Sequence, residues 1–550
     1  MNFKGFYSTL ERGLFISLLL ISTIKLSTSK ENLITYRWPL LDMFPFFLIK
    51  SGEANLSSDF FSQCSLLPSP RHIFGYIVLA LSYLFRTHWY DTLAFLHIII
   101  AITLPAVIFL ALNHITKYFS PPSTWPAISV TQSMMVSAAI LIDSIPKFFT
   151  VAWWRPIDLL PTAHTFSMWI GMLSLYFLNQ KPKYSLILLG FSLFIHPTVG
   201  LSFFIIQAFI VSLLGEWENL KKLSVVTAVS MVLLLTTFAQ TKVISASQFV
   251  RIYAYQRHAG HYIPSKFSSL FYNVDWRISF TSILLVLAIS WFYLKRSFSD
   301  RSSKLVLLFT LFYAFSLFLQ YLAVEIFPIR FIATLGPSRF LFWGYWFCVI
   351  AISISIGAFW LKLSGKSYST HLIVLDESKA KVKAKPSQDT IWWMTYFILV
   401  TILFLWINSI KSDTLISVPS QRYGPMLSWI SQNTPENSVF IVDANYYVYS
   451  NLKVDIPIVT HRGIFVDNGF PFHEECIKEY SERASLVSRD LNGAPVDYQF
   501  KDYDYFKGVS KRFKADYVIV LTEQGKQFFK DYQPVFKGKT HWIYSLKSDS

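Results

Sequence analysis

Residues 91–112 read DTLAFLHIIIAITLPAVIFLAL, an unbroken apolar run whose single charged side chain, Asp91, stands at its first position. At about 1.5 Å per residue, a helix of this length covers the ~30 Å hydrocarbon core of a bilayer. It is apolar on every side, so it offers no solvated face and belongs inside lipid or a large core.

Runs of the same kind recur on both sides of it, at 13–28, 73–87, 163–179, 223–241, 277–294, 305–325, 340–362 and 391–409. The stretch 184–214 is too long for one comfortable span. It is broken by His196-Pro197, so it reads as two helices joined by a tight turn. Residues 126–154 are apolar but interrupted by Asp143, Pro146 and Lys147. Composition agrees: 53% of residues are hydrophobic and only 15% charged, too few to cover a soluble globule of 550 residues. A net charge of +16 would suit a nucleic-acid partner. The basic residues lie mostly in short loops between apolar runs, however, which is how membrane topology is set, so no nucleic acid is expected. The expected class is a polytopic α-helical membrane protein of about 11–13 transmembrane helices.

Three basic loops orient it under the positive-inside rule. These are Gln180-Lys181-Pro182-Lys183, the segment Lys295-Arg296 to Lys304, and a lysine-rich linker at 363–390. Lys4 and Arg12 place the N-terminus in the cytoplasm as well, and Gly13 to Ser27 reads as a retained signal anchor because no small-residue cleavage site follows it. Counting crossings puts residues 113 and 155 outside, so 126–154 is expected to cross twice or not at all. The outer segments are then 29–72, 155–162, 242–276 and 326–339, together with the His196-Pro197 turn.

After the last span the pattern changes. Leu427 to Ile430 followed by Asn433-Thr434-Pro435 reads as a helix end and turn. Val439–Asp443, Ile456–Val459 and Asp516–Leu521 read as strands, and Glu474–Leu486 as a helix. Alternation of this kind predicts a small α/β domain. Residues 1–410 are thus the membrane domain, and 411–550 an extracytoplasmic α/β domain. Cys64 and Cys476 fall on the same expected side, so a disulfide is open to them. With no paired-cysteine motif, two separate thiols are the reading taken.

Unusual polar residues crowd the outer side. Asp42 sits inside the run Trp38 to Phe47, where an isolated carboxylate is costly to bury. It reads either as an interfacial acid facing water or as a general base tuned by partial burial. Asp59, after Ser57-Ser58, is a second catalytic candidate and equally a helix N-cap. The loop 242–276 carries Arg251, Arg257, His258, His261 and Lys266 among Tyr253, Tyr255 and Tyr262, a mixture suited to a phosphate-bearing lipid head group or to ordinary membrane surface. His258 and His261 have metal-ligand spacing, but no carboxylate nearby completes a set, so no metal site is assigned. Arg330 and Arg339 flank Gly336-Pro337 and read as snorkelling arginines or as a pyrophosphate clamp. Trp153-Trp154-Arg155-Pro156-Ile157-Asp158 is an aromatic belt or a sugar platform, with Trp154 and Arg155 as the binding candidates. His196 caps or packs the helix break.

In this order, the motifs resemble those of the GT-C superfamily of polytopic glycosyltransferases, and more narrowly of bacterial members associated with surface polysaccharides. Asp42 matches the acidic residue of the first outer loop, followed by Ser51-Gly52-Glu53 and Ser58-Asp59-Phe60-Phe61. Phe194 to Gly200 and Arg257 to Pro264 look similar to two histidine-containing turns, although Ala259-Gly260 departs from a tighter histidine pairing. Arg462 to Asp467, Pro471-Phe472 and Glu479-Tyr480-x-x-Arg483 resemble the outer domain. The resemblance implies a sugar moved from a polyprenyl-phosphate-linked donor to a glycan or lipid acceptor at the outer face of a bacterial plasma membrane. Asp42 would deprotonate the acceptor, and Arg257, His258, His261 and Arg339 would hold the donor phosphates. The acidic neighbour common beside the catalytic acid is missing at Asp42, which leaves a divalent-metal cofactor unassigned. Two rival readings are a transporter or flippase of a lipid-linked glycan and a polymerase or ligase of whole oligosaccharide units. Internal repeats expected of many transporters are not found.

Overall fold

The computed structural model describes residues 3–28, 43–142, 151, 156–157, 162–237, 244–256, 262–267, 275–364, 423–443, 452, 455–466, 474–487, 501–521, 523 and 527–547. The body is a bundle of helices: Phe3–Thr28, Trp89–Tyr118, Trp125–Leu141, Ala163–Phe177, Pro182–Ile195, Pro197–Leu214, Trp217–Thr237, Trp276–Ser297, Asp300–Tyr321 and Trp343–Leu363. Among the described residues, five helical stretches are long and apolar enough to cross a membrane: Trp89–Tyr118, Pro197–Leu214, Trp276–Arg296, Asp300–Ile326 and Arg330–Leu363. This is a polytopic membrane protein.

The local sequence explains where helices stop and start. Thr162 and Asp275 cap helix N-termini with their side chains, and Pro182 and Pro197 each open a helix at the position where a missing N–H costs nothing. The expected break at His196-Pro197 is present: Pro182–Ile195 and Pro197–Leu214 form a hairpin. Gly200 makes the close turn possible, since a Cβ there would lie 2.5 Å from the Leu193 backbone. Serines tie this hairpin to helix Ala163–Phe177. Ser167 and Ser192 share a 2.8 Å hydrogen bond, and Gln207 Nε2 donates to Ser174 Oγ at 2.7 Å. Small polar residues of this kind let helices approach closely where lipid supplies no hydrophobic drive.

Side-chain contacts give each helix its direction, and two expectations are corrected. The run 73–87 does not cross. Helix Arg71–Phe85 ends at left-handed Arg86, and contacts at its start and just past its end lead back to one loop. Phe46 stacks on His72 near its start, and the adjacent Phe47 stacks on Trp89 just past its end, their two rings being only 5.8 Å apart. Glu53 Oε1 accepts from both His88 Nε2 (2.8 Å) and Trp89 Nε1 (2.6 Å), holding the turn after the helix to the same loop.

Helix Trp89–Tyr118 therefore starts on that face and ends on the opposite one. At its far end Lys117 pairs with Glu11, His114 meets Gln180 at 3.3 Å, and Ser302 Oγ donates to the Phe119 carbonyl. Residue 113 thus lies beside the basic Gln180–Lys183 turn, not across from it. Helix Trp125–Leu141 then crosses once. It runs antiparallel to Trp343–Leu363, with Tyr345 donating to Met135 O at 2.7 Å and Ile128 packed beside Gly357. One crossing fewer before residue 113 and an odd count in place of an even one after it cancel, so the parity of every later helix stands.

The C-terminal region is a five-stranded sheet in the order β2-β1-β3-β5-β4, with β1 at Val439–Asp443, β2 at Gly463–Ile464, β3 at Tyr517–Leu521, β4 at Phe536–Lys537 and β5 at His541–Ser545. β2, β1 and β3 are parallel, while β5 and β4 continue antiparallel. Helices Gly424–Asn433, Glu474–Leu486 and Tyr503–Phe513 pack with it. The expected strand at Ile456–Val459 is instead part of a π-helical turn, Ile456–Thr460, with the strand displaced to Gly463–Ile464. Pro457 has no N–H to give a ladder, and left-handed His461 turns the chain before β2 begins. The expected boundary at 410/411 lies outside the described residues.

Candidate active site

The domain's core does not close on itself. It runs on into Phe61, Phe249, Tyr253, Tyr262, Val324 and Ala333, residues of three loops on one face of the membrane body. That face, here the domain face, carries the first loop, the 244–267 loop, the 322–342 segment and the His196-Pro197 turn.

Arg339 is the centre of the described polar cluster there. It lies on a short 3₁₀ segment, Pro337–Phe342, and is only 8% exposed. Its guanidinium donates to the Tyr262 hydroxyl and lies 5.6 Å from that ring's centroid. The hydroxyls of Tyr262 and Tyr253 are 3.1 Å apart, and Tyr253 also bonds Arg339. Gln320 fastens the backbone on both sides: Nε2 donates to Tyr262 O at 2.7 Å, and Oε1 accepts from Ser338 N at 3.3 Å. Gly336, at φ +62°, is what lets these segments meet, because a Cβ there would stand 3.2 Å from Tyr262 and 3.4 Å from Arg339 Nε. A π-helical turn on each side, Arg251–Gln256 and Leu322–Ile326, brings the two loops together; such turns recur at functional sites.

His196 joins this cluster. Its Nδ1 accepts from Val199 N at 3.4 Å as an N-cap, while Thr198 Oγ1 donates to Leu335 O at 2.8 Å and docks the turn beside Arg339. The His196 ring meets His164 edge-on at 5.4 Å, and His164 in turn meets Phe342. Tyr253 and Tyr262 were expected only as aromatic neighbours of the basic loop, and His164 and Gln320 were not among the expected site residues. For His164 and Gln320 the one available signal was position, since they stand at the domain-face ends of helices Ala163–Phe177 and Asp300–Tyr321.

Arg330 is held elsewhere, with Nη2 donating to Ile244 O at 2.8 Å and the guanidinium 4.7 Å from the Phe249 ring. These contacts fasten the 244–250 segment. Asp42, Trp154, Arg155, Arg257, His258 and His261 lie outside the described residues.

Asp59 is 4% exposed and sits beside β2, where a Cβ on Gly463 would lie 2.9 Å from the Asp59 Cβ. It caps helix Phe60–Leu66, where Oδ2 accepts from Ser62 N at 2.8 Å and from the Ser62 hydroxyl. Oδ1 accepts from Ile464 N on β2 at 3.2 Å. Burial raises its pKa above the usual carboxylate range, opposed by the Ser62 and Ile464 hydrogen bonds and by the charge of Arg483. Both oxygens are engaged by backbone N–H groups, the geometry of a fastening. Five residues on, Cys64 is joined to Cys476 by a disulfide, against the expectation of two separate thiols. Sequence separation hid it: the two cysteines stand 412 positions apart.

No family model matches the chain, and no curated protein does. Solved structures similar to it include two oligosaccharyltransferases. One is the apo oligosaccharyltransferase of Archaeoglobus fulgidus (TM-score 0.47, 13% identity), over 94% of this chain and 70% of that one. The other is the archaeal oligosaccharyltransferase AglB of the same organism, in complex with an inhibitory peptide and a dolichol-phosphate (TM-score 0.42, 14% identity), over 95% and 70%.

Proposed function

We propose that the protein transfers a sugar from a polyprenyl-phosphate-linked donor to an acceptor at the outer face of the membrane. The observation that carries this reading is the buried Arg339, prearranged by Tyr253, Tyr262 and Gln320 beside the His196 turn. A guanidinium held in place at the membrane surface matches phosphate oxygens and needs little reorganisation when charge develops on a leaving group. In the proposed step Asp42 takes the proton from an acceptor hydroxyl, and the oxygen attacks the anomeric carbon. The carbon–oxygen bond to phosphate breaks, and the lipid phosphate leaves with the negative charge, met by Arg339 with Arg257, His258 and His261. Trp154 and Arg155 are proposed to face the sugar.

Asp59 has a different role in this scheme: its oxygens are taken up in fastening the first loop. The outward orientation is supported by the Cys64–Cys476 disulfide, since such bonds persist in oxidising compartments. It is supported equally by the basic turn at Lys181-Pro182-Lys183 on the opposite side. A bacterial plasma membrane is the setting this reading assumes. The test is transfer of labelled sugar from the lipid-linked pool of host membranes: Asp42→Asn removes it while expression and folding stay intact. Movement of the labelled lipid across vesicles without sugar release would favour a flippase instead.

A further inference from the structure

Helix Glu474–Leu486 touches both loops that carry the proposed chemistry. Toward the first loop it presents Cys476, bonded to Cys64, then Tyr480, whose ring meets Phe61 at 5.2 Å, then Arg483, whose guanidinium lies 4.6 Å from the Phe60 ring. These three residues stand at helical spacing, so one face of the helix is committed to this loop. Against another part of its surface packs the π-helical turn Arg251–Gln256, the segment immediately before Arg257. Arg483 also lies 4.9 Å from Phe465 and 5.1 Å from Phe513 and takes two 2.8 Å contacts to Glu479 Oε1, so its position is set by the domain's own core. The first loop is anchored at its other end too, by Glu53 on His88 and Trp89. Met43, the residue after Asp42, is buried beside Phe46 and Phe74.

We infer that helix Glu474–Leu486 is a yoke that sets the two loops relative to each other, and that Arg483, on the helix, and Asp59, through its hydrogen bond to β2, are the positioning residues that hold the first loop beside it. Asp59 joins the loop to β2, and Arg483 joins the loop to the helix. The disulfide closes the third side. The role assigned to the loops rests on the glycosyltransferase reading, but the mechanical coupling does not, and it is measurable with no donor present.

The experiment is hydrogen–deuterium exchange on the purified full-length protein in lipid nanodiscs. It compares wild type, Asp59→Asn, Arg483→Lys and the Cys64→Ser/Cys476→Ser pair. A lysine keeps the charge but cannot lie flat on three rings or present a fork to Glu479, so it does not rescue. The expected result is exchange raised on the order of tenfold both in 44–66 and in 251–256, with the far half of helix Trp89–Tyr118 unchanged. A local capping role would move 58–66 alone. That outcome, or unchanged exchange in 251–256 in all three variants, overturns the yoke. Asp59→Asn is the mild variant, keeping shape and size, so a folding failure of Arg483→Lys still leaves a decisive comparison. Loss of sugar transfer in Asp42→Asn with wild-type exchange separates failure of the chemistry from failure of the yoke.

Discussion

Cys64, on the first loop of the membrane body, is covalently joined to Cys476, on the first turns of a helix in the C-terminal domain. The bond ties together two segments that also share a hydrophobic core and a buried carboxylate, so domain and body form one folding unit on that face. Replacing both cysteines by serine should lower the stability of the docked domain by about 2–4 kcal/mol, the range for closing long loops. Non-reducing peptide mapping should recover the 64–476 linked pair, and scanning calorimetry with and without reductant should report the loss.

The corrected topology places His88 and Lys117 on opposite faces, at the two ends of one helix. A single cysteine at Asn55, which is exposed near Glu53, should be labelled by an impermeant maleimide from outside intact cells. One at Gln180 should be labelled only after permeabilisation. The reverse pattern would invert the protein in the membrane.

Gly336→Ala tests the close approach at Arg339. Left-handed φ and a 3.2 Å neighbour both oppose a methyl group, so a loss of about 1–2 kcal/mol in stability is expected. Farnesyl diphosphate, a soluble probe for the phosphate site, should bind correspondingly more weakly. Gly508→Ala is the control. It lies in helix Tyr503–Phe513 with open space around it and should be neutral or stabilising by about 0.5–1 kcal/mol.

Burial pushes the Asp455 carboxyl up to about 6. The folded domain therefore holds this proton more tightly than the unfolded chain does, and the sign follows. Stability from this group is full below the unfolded value near 4 and is lost as pH rises through about 6. Asp455→Asn should raise thermal stability at pH 8 by about 1–2 kcal/mol, after allowance for its partial exposure, and by much less at pH 4. Unfolding of the full chain at the two pH values checks this.

The membrane class was legible because apolar length is a local property, and so were strands β1 and β3 and helix Glu474–Leu486. What could not be read locally depended on distant partners. Helix Arg71–Phe85 has a spanning composition, but its start and the start of the next helix are both held to the first loop by Phe46 and Phe47, which no hydropathy window registers. The Cys64–Cys476 bond and the Asp59–Ile464 contact each cross some four hundred residues. Arg339 was a candidate by its place beside Gly336-Pro337. Tyr262 and Gln320, which hold it, are ordinary in sequence and become informative only when three loops converge.

The central claim is that Arg339 and Asp42 serve one phosphate-linked sugar at the domain face. The most direct measurement is transfer of labelled sugar from host lipid-linked donors, combined with farnesyl diphosphate binding, in Asp42→Asn and Arg339→Gln. Asp42→Asn should lose transfer by on the order of a hundredfold or more while keeping probe affinity, as expected of a general base. Arg339→Gln should lose both. Wild-type transfer in Asp42→Asn, or unchanged probe binding in Arg339→Gln, would contradict the claim.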